Sequence, residues 1–259
     1  MKTLNVSLIQ QSIIEDQPEK NLIITQKKIE SLKGKTDLVI LPELFTTGFT
    51  LNNLEIAETN DGKTISSLKE WASINNLAIT GSFLAKNENH YFNRGFFILP
   101  NKDAFFYDKK HLFPIGKEAK TITAGDEYQI ISYKEWNIKL LICYDLRFPI
   151  WSRNKDLEYD LLIYVANWPT LRKRPWEALL MARAIENQAY VIGVNRIGKD
   201  SNNLDHHGYS CIYSPDGDCL NAASLNKEEI VNGVLSLNDV RNIREKYPFW
   251  KDNDSFKLD

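Results

Sequence analysis

Short apolar or alternating runs recur along the whole chain, separated by polar segments that carry Gly and Pro. The first half opens on LNVSLIQ (4–10), continues with a helical stretch from Pro18 to near Gly34, and reaches DLVILPEL (37–44). Proline at a helix start and glycine just past its end match the capping asymmetry of helices. TISSLKEWASINN (64–76) predicts a second helix, ahead of the strand LAITGSFLAK (77–86). This β-α-β-α-β order predicts a layered α/β sheet.

YFNRGFFILP (91–100) and AFFYDKKHLF (104–113) follow, separated by Asn101-Lys102-Asp103. These are hairpin signals, so part of the sheet is expected to be antiparallel. The second half supplies the strands YQIISY (128–133), NIKLLICYD (137–145) and DLLIYVANW (160–168). A helix, RPWEALLMARAIENQ (174–188), leads to the strand YVIGVNRIG (190–198). A hairpin around Pro215-Asp216-Gly217-Asp218 and a strand GVLSL (233–237) complete the pattern. The final segment, 238–259, is polar apart from isolated aromatic residues. It reads either as a surface helix with a frayed end or as a segment that docks on a partner subunit.

No repeat or low-complexity linker divides the 259 residues, and 43% hydrophobic residues suffice for a large core. A net charge of −2 gives no reason to expect nucleic acid or an anionic membrane as partner. The N-terminus lacks the apolar core of a signal peptide, and no apolar run approaches transmembrane length. The three cysteines (Cys143, Cys211, Cys219) have no CxxC spacing, and the four histidines form no ligand pattern. The expectation is a reduced, cytoplasmic protein with neither metal nor cofactor.

Candidate chemistry lies where apolar runs stop. Glu43 follows DLVIL at a strand's carboxyl end, where open α/β sheets bind ligands. Read alone, it is more readily a structural acid that hydrogen-bonds a loop. If AFFYDKKHL is a strand throughout, Lys109 and His111 share one face and Lys110 the other, and periodicity does not say which faces a site. Cys143 ends KLLIC. Packing is the ordinary role of a buried thiol, yet a polar turn follows at once and Pro149 can open a short helix. A turn there would leave the N–H of Tyr144 free to face an oxyanion. Asn167 and Trp168 follow the apolar strand DLLIYVA, and Glu118 lies in a charged loop seven residues before Gly125. Arg147 reads as a structural residue that braces the turn after Cys143.

Taken together, LVILPEL, YDKKHLF and LLICYDLRFP resemble, in order, the three-part pattern of the carbon–nitrogen hydrolase (nitrilase) superfamily. The resemblance implies that Glu43, Lys109 and Cys143 are catalytic, with Lys110 in the variable position of Lys-x-His-Leu. It implies supporting roles for Glu118, by its spacing before Ala-Gly-Asp, and for Tyr144. It further implies a four-layer α-β-β-α sandwich of two mixed sheets over 1–237, assembled as a homodimer or larger homo-oligomer. CYDLRFPIWSRN, YVANWP and MARAIENQAYVIGVNRIG resemble the omega-amidase branch. That branch hydrolyses the terminal amide of small 2-oxoacid amides such as 2-oxoglutaramate. Asn167, Trp168 and Arg172 would then bind substrate, and the carboxylate of a 2-oxoacid wants a cation such as Arg147, Arg172, Lys173 or Arg174, all near candidate loops.

Alternatives remain open at this level. A nitrilase or N-carbamoyl amine hydrolase would use the same three residues. A papain-like enzyme would need His111 as base to Cys143. A binding protein could keep the fold without turnover.

Overall fold

The computed structural model describes residues 2–49, 51–114 and 118–257. The first sheet contains β1 (Thr3–Gln10), β2 (Leu38–Ile40), β3 (Ala78–Asn87), β4 (His90–Ile98), β5 (Ala104–Asp108) and β14 (Glu229–Ser236). Its order is β14-β1-β2-β3-β4-β5; β1 to β3 run parallel and the outer pairings are antiparallel. The second sheet contains β6 (Ile130–Tyr133), β7 (Trp136–Ile142), β8 (Leu161–Ala166), β9 (Tyr190–Asn195), β12 (Cys211–Tyr213) and β13 (Cys219–Ala222). Its order is β13-β12-β9-β8-β7-β6, again with a parallel centre, β7 to β9. A small ribbon pairs β10 (Ile197–Lys199) with β11 (Asp205–His207).

The helices are α1 (Pro18–Glu30), α2 (Lys63–Asn75), α3 (Glu118–Thr121), α4 (Pro149–Ser152), α5 (Lys173–Asn187) and α6 (Leu237–Lys246). Among the described residues, no helix is long and apolar enough to cross a membrane.

Side-chain alternation builds the four layers. Leu38 and Ile40 of β2 join the cluster shared with Ile138, Leu140 and Ile142 of β7, between the sheets. Val39 points the other way, onto Leu22 and Ile29 of α1 and Leu68 of α2. In the second sheet every residue of β8 is buried, because one face meets the first sheet and the other meets α5. Burying each such Leu, Ile or Val contributes roughly 1.5–3 kcal/mol before entropy is counted.

Helix α6 is fastened to its own chain. Leu237 and Val240 are buried, and Arg244 donates to Asp160 Oδ1 (3.0 Å) and to the carbonyls of Tyr159 (2.7 Å) and Gln188 (3.0 Å).

Several strands are shorter than their runs predict, and two of these place site residues. Strand β2 ends at Ile40, so Glu43 lies in the turn beyond it, and β5 ends at Asp108, just before Lys109. The expected sharing of one strand face by Lys109 and His111 therefore does not hold, since strand alternation stops before either residue.

Candidate active site

Glu43 is fully buried. The chain reverses behind it through Leu44, which has φ +46° and donates its N–H to Ser82 Oγ at 2.8 Å. Glu43 Oε1 accepts hydrogen bonds from Lys109 Nζ (2.9 Å) and Asn93 Nδ2 (2.7 Å), and Oε2 accepts the backbone N–H of Asn167 (2.6 Å).

Lys109 continues the β4–β5 ladder one residue past the strand, its N–H donating to Asn93 O at 3.0 Å. Its ammonium is also completely buried and reaches both oxygens of Glu118, at 2.9 and 3.0 Å. Burial alone would lower the lysine's pKa, but Glu118 and Glu43 outweigh it and hold the group above the ordinary amine range. Glu118, at the start of α3, also accepts the N–H of Phe113 at 2.6 Å. Burial raises its pKa and the Glu43 charge adds to that, against the opposing pull of Lys109.

Cys143 follows β7 and begins a 3₁₀ turn, Cys143–Arg147, with its backbone in the left-handed region at φ +45°. A side chain larger than glycine is strained there, and the strain marks an elbow that turns the thiol out of the strand. The thiol is nearly buried, and burial raises its pKa well above the ordinary range. Neighbouring Glu43 adds to the rise, and Lys109 does not offset them. Burial thus favours the thiol form of Cys143, with Glu43 beside it. At the start of the 3₁₀ turn the N–H of Tyr144 has no acceptor within the helix.

A cavity of about 600 Å³ opens above these groups; Lys109, Cys143, Tyr144, Asn167, Trp168 and Arg172 all line it. Asn167 donates from Nδ2 to Glu43 O at 2.7 Å, while its buried Oδ1 has no partner among the described residues. Trp168 is a fixed wall. Its N–H donates to Asn195 Oδ1 (2.8 Å) and its Nε1 to Arg172 O (2.7 Å). Arg172 lies over Phe113, its charge disfavoured first by burial and then by repulsion from Arg147.

Arg147 differs from the sequence expectation. It does not brace the elbow: its guanidinium lies over the Trp168 ring at 5.2 Å and lines the same cavity. The carboxylate that holds the elbow belongs to Asp145, whose Oδ2 accepts the N–H of Ile142 at 3.0 Å. Asn93 was not anticipated either, although an Asn within the aromatic run YFNRGFF is a buried polar group that must find partners. It links Glu43 to Glu118, donating to the latter at 3.2 Å, and accepts Ser82 Oγ at 3.0 Å. His206, from β11, also lines the cavity, with Nδ1 lacking a partner among the described residues. Lys110 lies instead over Trp151 on another side of the molecule.

Two stacked mixed sheets that bring a buried Glu–Lys–Glu cluster against a thiol define an enzyme-like site. The sequence matches the carbon-nitrogen hydrolase family over residues 5–245, and the chain belongs to that family. It is therefore a hydrolase of carbon–nitrogen bonds. It is 38% identical over 258 residues to omega-amidase YafV of Escherichia coli K12, covering all of both chains. It is 32% identical over 251 residues to the 2-oxoglutaramate amidase of Bacillus subtilis, covering 95% of this chain and 96% of the other. A CN-hydrolase superfamily protein of Xanthomonas campestris, solved with an arsenic adduct in its active site, superposes with TM-score 0.97. That pair shares 38% identity and covers both chains fully.

Proposed function

We propose that the protein is an omega-amidase that hydrolyses the terminal amide of a small 2-oxoacid amide of the 2-oxoglutaramate type, through a thioester on Cys143. Glu43 takes the proton from Cys143 Sγ as sulfur bonds to the amide carbon. The Lys109 ammonium and the N–H of Tyr144 hold the resulting oxyanion. The C–N bond then breaks and ammonia leaves with the proton from Glu43. Water next gives a proton to Glu43 and bonds to the acyl carbon; the C–S bond breaks, and the proton returns to the thiolate. Glu118 keeps Lys109 charged and oriented. Asn167 Oδ1 accepts an N–H of the substrate amide, and Trp168 forms the wall along its chain.

The observation that carries the substrate class is the pair Arg147 and Arg172, two guanidiniums near Cys143 in a cavity of amide size. Paired cations that repel each other at a cavity wall suit an anionic substrate, and the far carboxylate of a 2-oxoacid amide supplies that charge. The omega-amidase and 2-oxoglutaramate amidase relatives support the same reading.

The test is ammonia release across a panel of 2-oxoacid amides, neutral amides, nitriles and N-carbamoyl amino acids. The 2-oxoacid amide is expected to be preferred; preference for a nitrile or carbamoyl compound overturns the substrate assignment. Cys143→Ala is expected to abolish release in a folded protein, and Glu43→Gln to prevent the acyl-enzyme from forming. Normal turnover by Cys143→Ala would return the chain to a role without covalent chemistry.

The same reading places the enzyme in the cytoplasm as a homo-oligomer, with subunits meeting across the helical layer that carries α5. Exposed Met181 and Ile185 on α5 support that face, and exposed Tyr247 and Phe249 support docking of segment 238–259 on a partner. Sedimentation of Met181→Glu against the parent tests it, with a monomeric variant expected.

A further inference from the structure

We propose that Asp145 is a positioning residue for this reaction and that it works through Tyr107 and His111, setting the Cys143 thiol against the Lys109 ammonium. The thiol and the ammonium come from different sheets, β7 and β5. No ladder bond within one sheet fixes their separation. The apolar contacts between sheets are non-directional and tolerate small slides. A directional link is needed, and the Asp145 carboxylate, fully buried, makes one.

Asp145 Oδ2 accepts the N–H of Ile142 (3.0 Å) and the Tyr107 hydroxyl (2.7 Å). Oδ1 accepts the backbone N–H of His111 (2.9 Å) and its ring Nδ1–H (2.8 Å). Ile142 is the residue just before the strained Cys143. Tyr107 and His111 flank Lys109, two residues to either side. Tyr107 OH in turn accepts the N–H of Lys110 (3.1 Å) and Trp151 Nε1–H (3.0 Å). One carboxylate thus holds the elbow of one sheet and both shoulders of Lys109 on the other.

His111 is fixed as a donor rather than placed as a base. Its ring stacks on Phe148 at 3.6 Å with an interplanar angle of 7°, and meets Trp151 edge-on. It lines a second depression with Lys110, Phe148 and Trp151, apart from the cavity that holds Cys143. A group there cannot touch the substrate, which removes the papain-like arrangement.

This inference rests on the thioester reading, and the experiment separates the two. Tyr107→Phe, His111→Leu, His111→Asn and Asp145→Asn are made in the full chain. Turnover is measured per titratable Cys143 thiol, alongside KM and thermal stability. Misplacement of reacting groups by a fraction of an ångström lowers kcat rather than binding, so Tyr107→Phe and His111→Leu are each expected to lose about tenfold in kcat. KM is expected to stay within about twofold in both. His111→Asn, whose Nδ2–H can replace the ring donor, is expected to recover most of the rate. A loss confined to melting temperature or to the fraction of titratable thiol makes the link merely structural and overturns the proposal. So does kcat per thiol within about twofold of the parent in both variants. Should Asp145→Asn not fold, these two variants still decide. If the parent releases no ammonia from any amide, the functional reading fails instead. The rate at which iodoacetamide alkylates Cys143 then reports the thiol's placement: a shift in Tyr107→Phe supports the link, and an unchanged rate overturns it.

Discussion

Asn167 and Glu43 hold each other twice: the Asn167 N–H donates to Glu43 Oε2 at 2.6 Å, and Asn167 Nδ2 donates to Glu43 O at 2.7 Å. One residue follows β2 and the other follows β8, so the pair closes the site across the two sheets. Asn167→Ala keeps the backbone bond and loses the side-chain one. The lost buried hydrogen bond is expected to cost about 1 kcal/mol of stability, read in a denaturant titration. Loss of Oδ1 is expected to lower kcat/KM for the amide by roughly tenfold or more. Unchanged kcat/KM would show that Asn167 holds Glu43 but not the substrate.

Arg172→Met should separate charged from neutral substrates. A charge-assisted hydrogen bond is worth about 1.5–3 kcal/mol, so KM for a 2-oxoacid amide is expected to rise between about tenfold and 150-fold. The slower turnover of a neutral amide of similar length is expected to stay nearly as in the parent. Equal losses for both substrates would move the carboxylate contact elsewhere, with Arg147→Met the next variant to assay.

Gly125→Ala tests the backbone around Lys109 without touching a reacting group. A Cβ at Gly125 would lie 2.3 Å from the carbonyl oxygen of Asp108 and 2.9 Å from its carbonyl carbon, and backbone has little freedom to yield. Gly125 also donates its N–H to Lys109 O at 3.0 Å. Overpacking of this kind is expected to cost about 1–3 kcal/mol and to reduce kcat by shifting Lys109. A variant with parental melting temperature and rate would show that the loop moves freely.

Stability is expected to fall on both sides of neutrality. Burial first, then Glu43, raises the Cys143 pKa, so above about pH 8.5 the unfolded chain releases a proton that the native state keeps. Native stability therefore declines as pH rises through that range, and Cys143→Ala is expected to decline less. On the acid side, burial lowers the pKa of His206 and of His207 to about 4, helped by Arg196 and Lys173 respectively. The unfolded chain binds those protons first, so stability is lost as pH falls from about 6.5 toward 4. Melting temperatures of the parent and of His207→Gln across that range check the sign; a parallel decline in both would remove His207 from the account.

Much of the fold was legible in hydrophobic period and turn chemistry. Both sheets' central strands, α1, α2, α5 and the Ser214–Asp218 turn all follow local patterns read over fewer than about a dozen residues. Helix α1 starts at Pro18, and α4 starts at Pro149, as their prolines predict. The strand ends were less legible. Apolar character continues through Leu41 and Leu44, but ladder pairing in β2 stops at Ile40, because pairing depends on a neighbour far along the chain.

The sequence by itself determined the strand–helix pattern and, through the ordered motifs, which acid, lysine and thiol to compare. Tertiary structure alone decided that His111 faces away from the cavity, that Arg147 lines the site, and that Asp145 braces the elbow. It also set the direction of the thiol's pKa, which burial and then Glu43 raise against Lys109. The reason is distance along the chain. Lys109 meets Glu43 across 66 residues and Asn167 meets it across 124, and no local period reports such a pairing. A residue's type and immediate neighbours specify its element; its charge state and partners come from whatever the packed sheets bring against it.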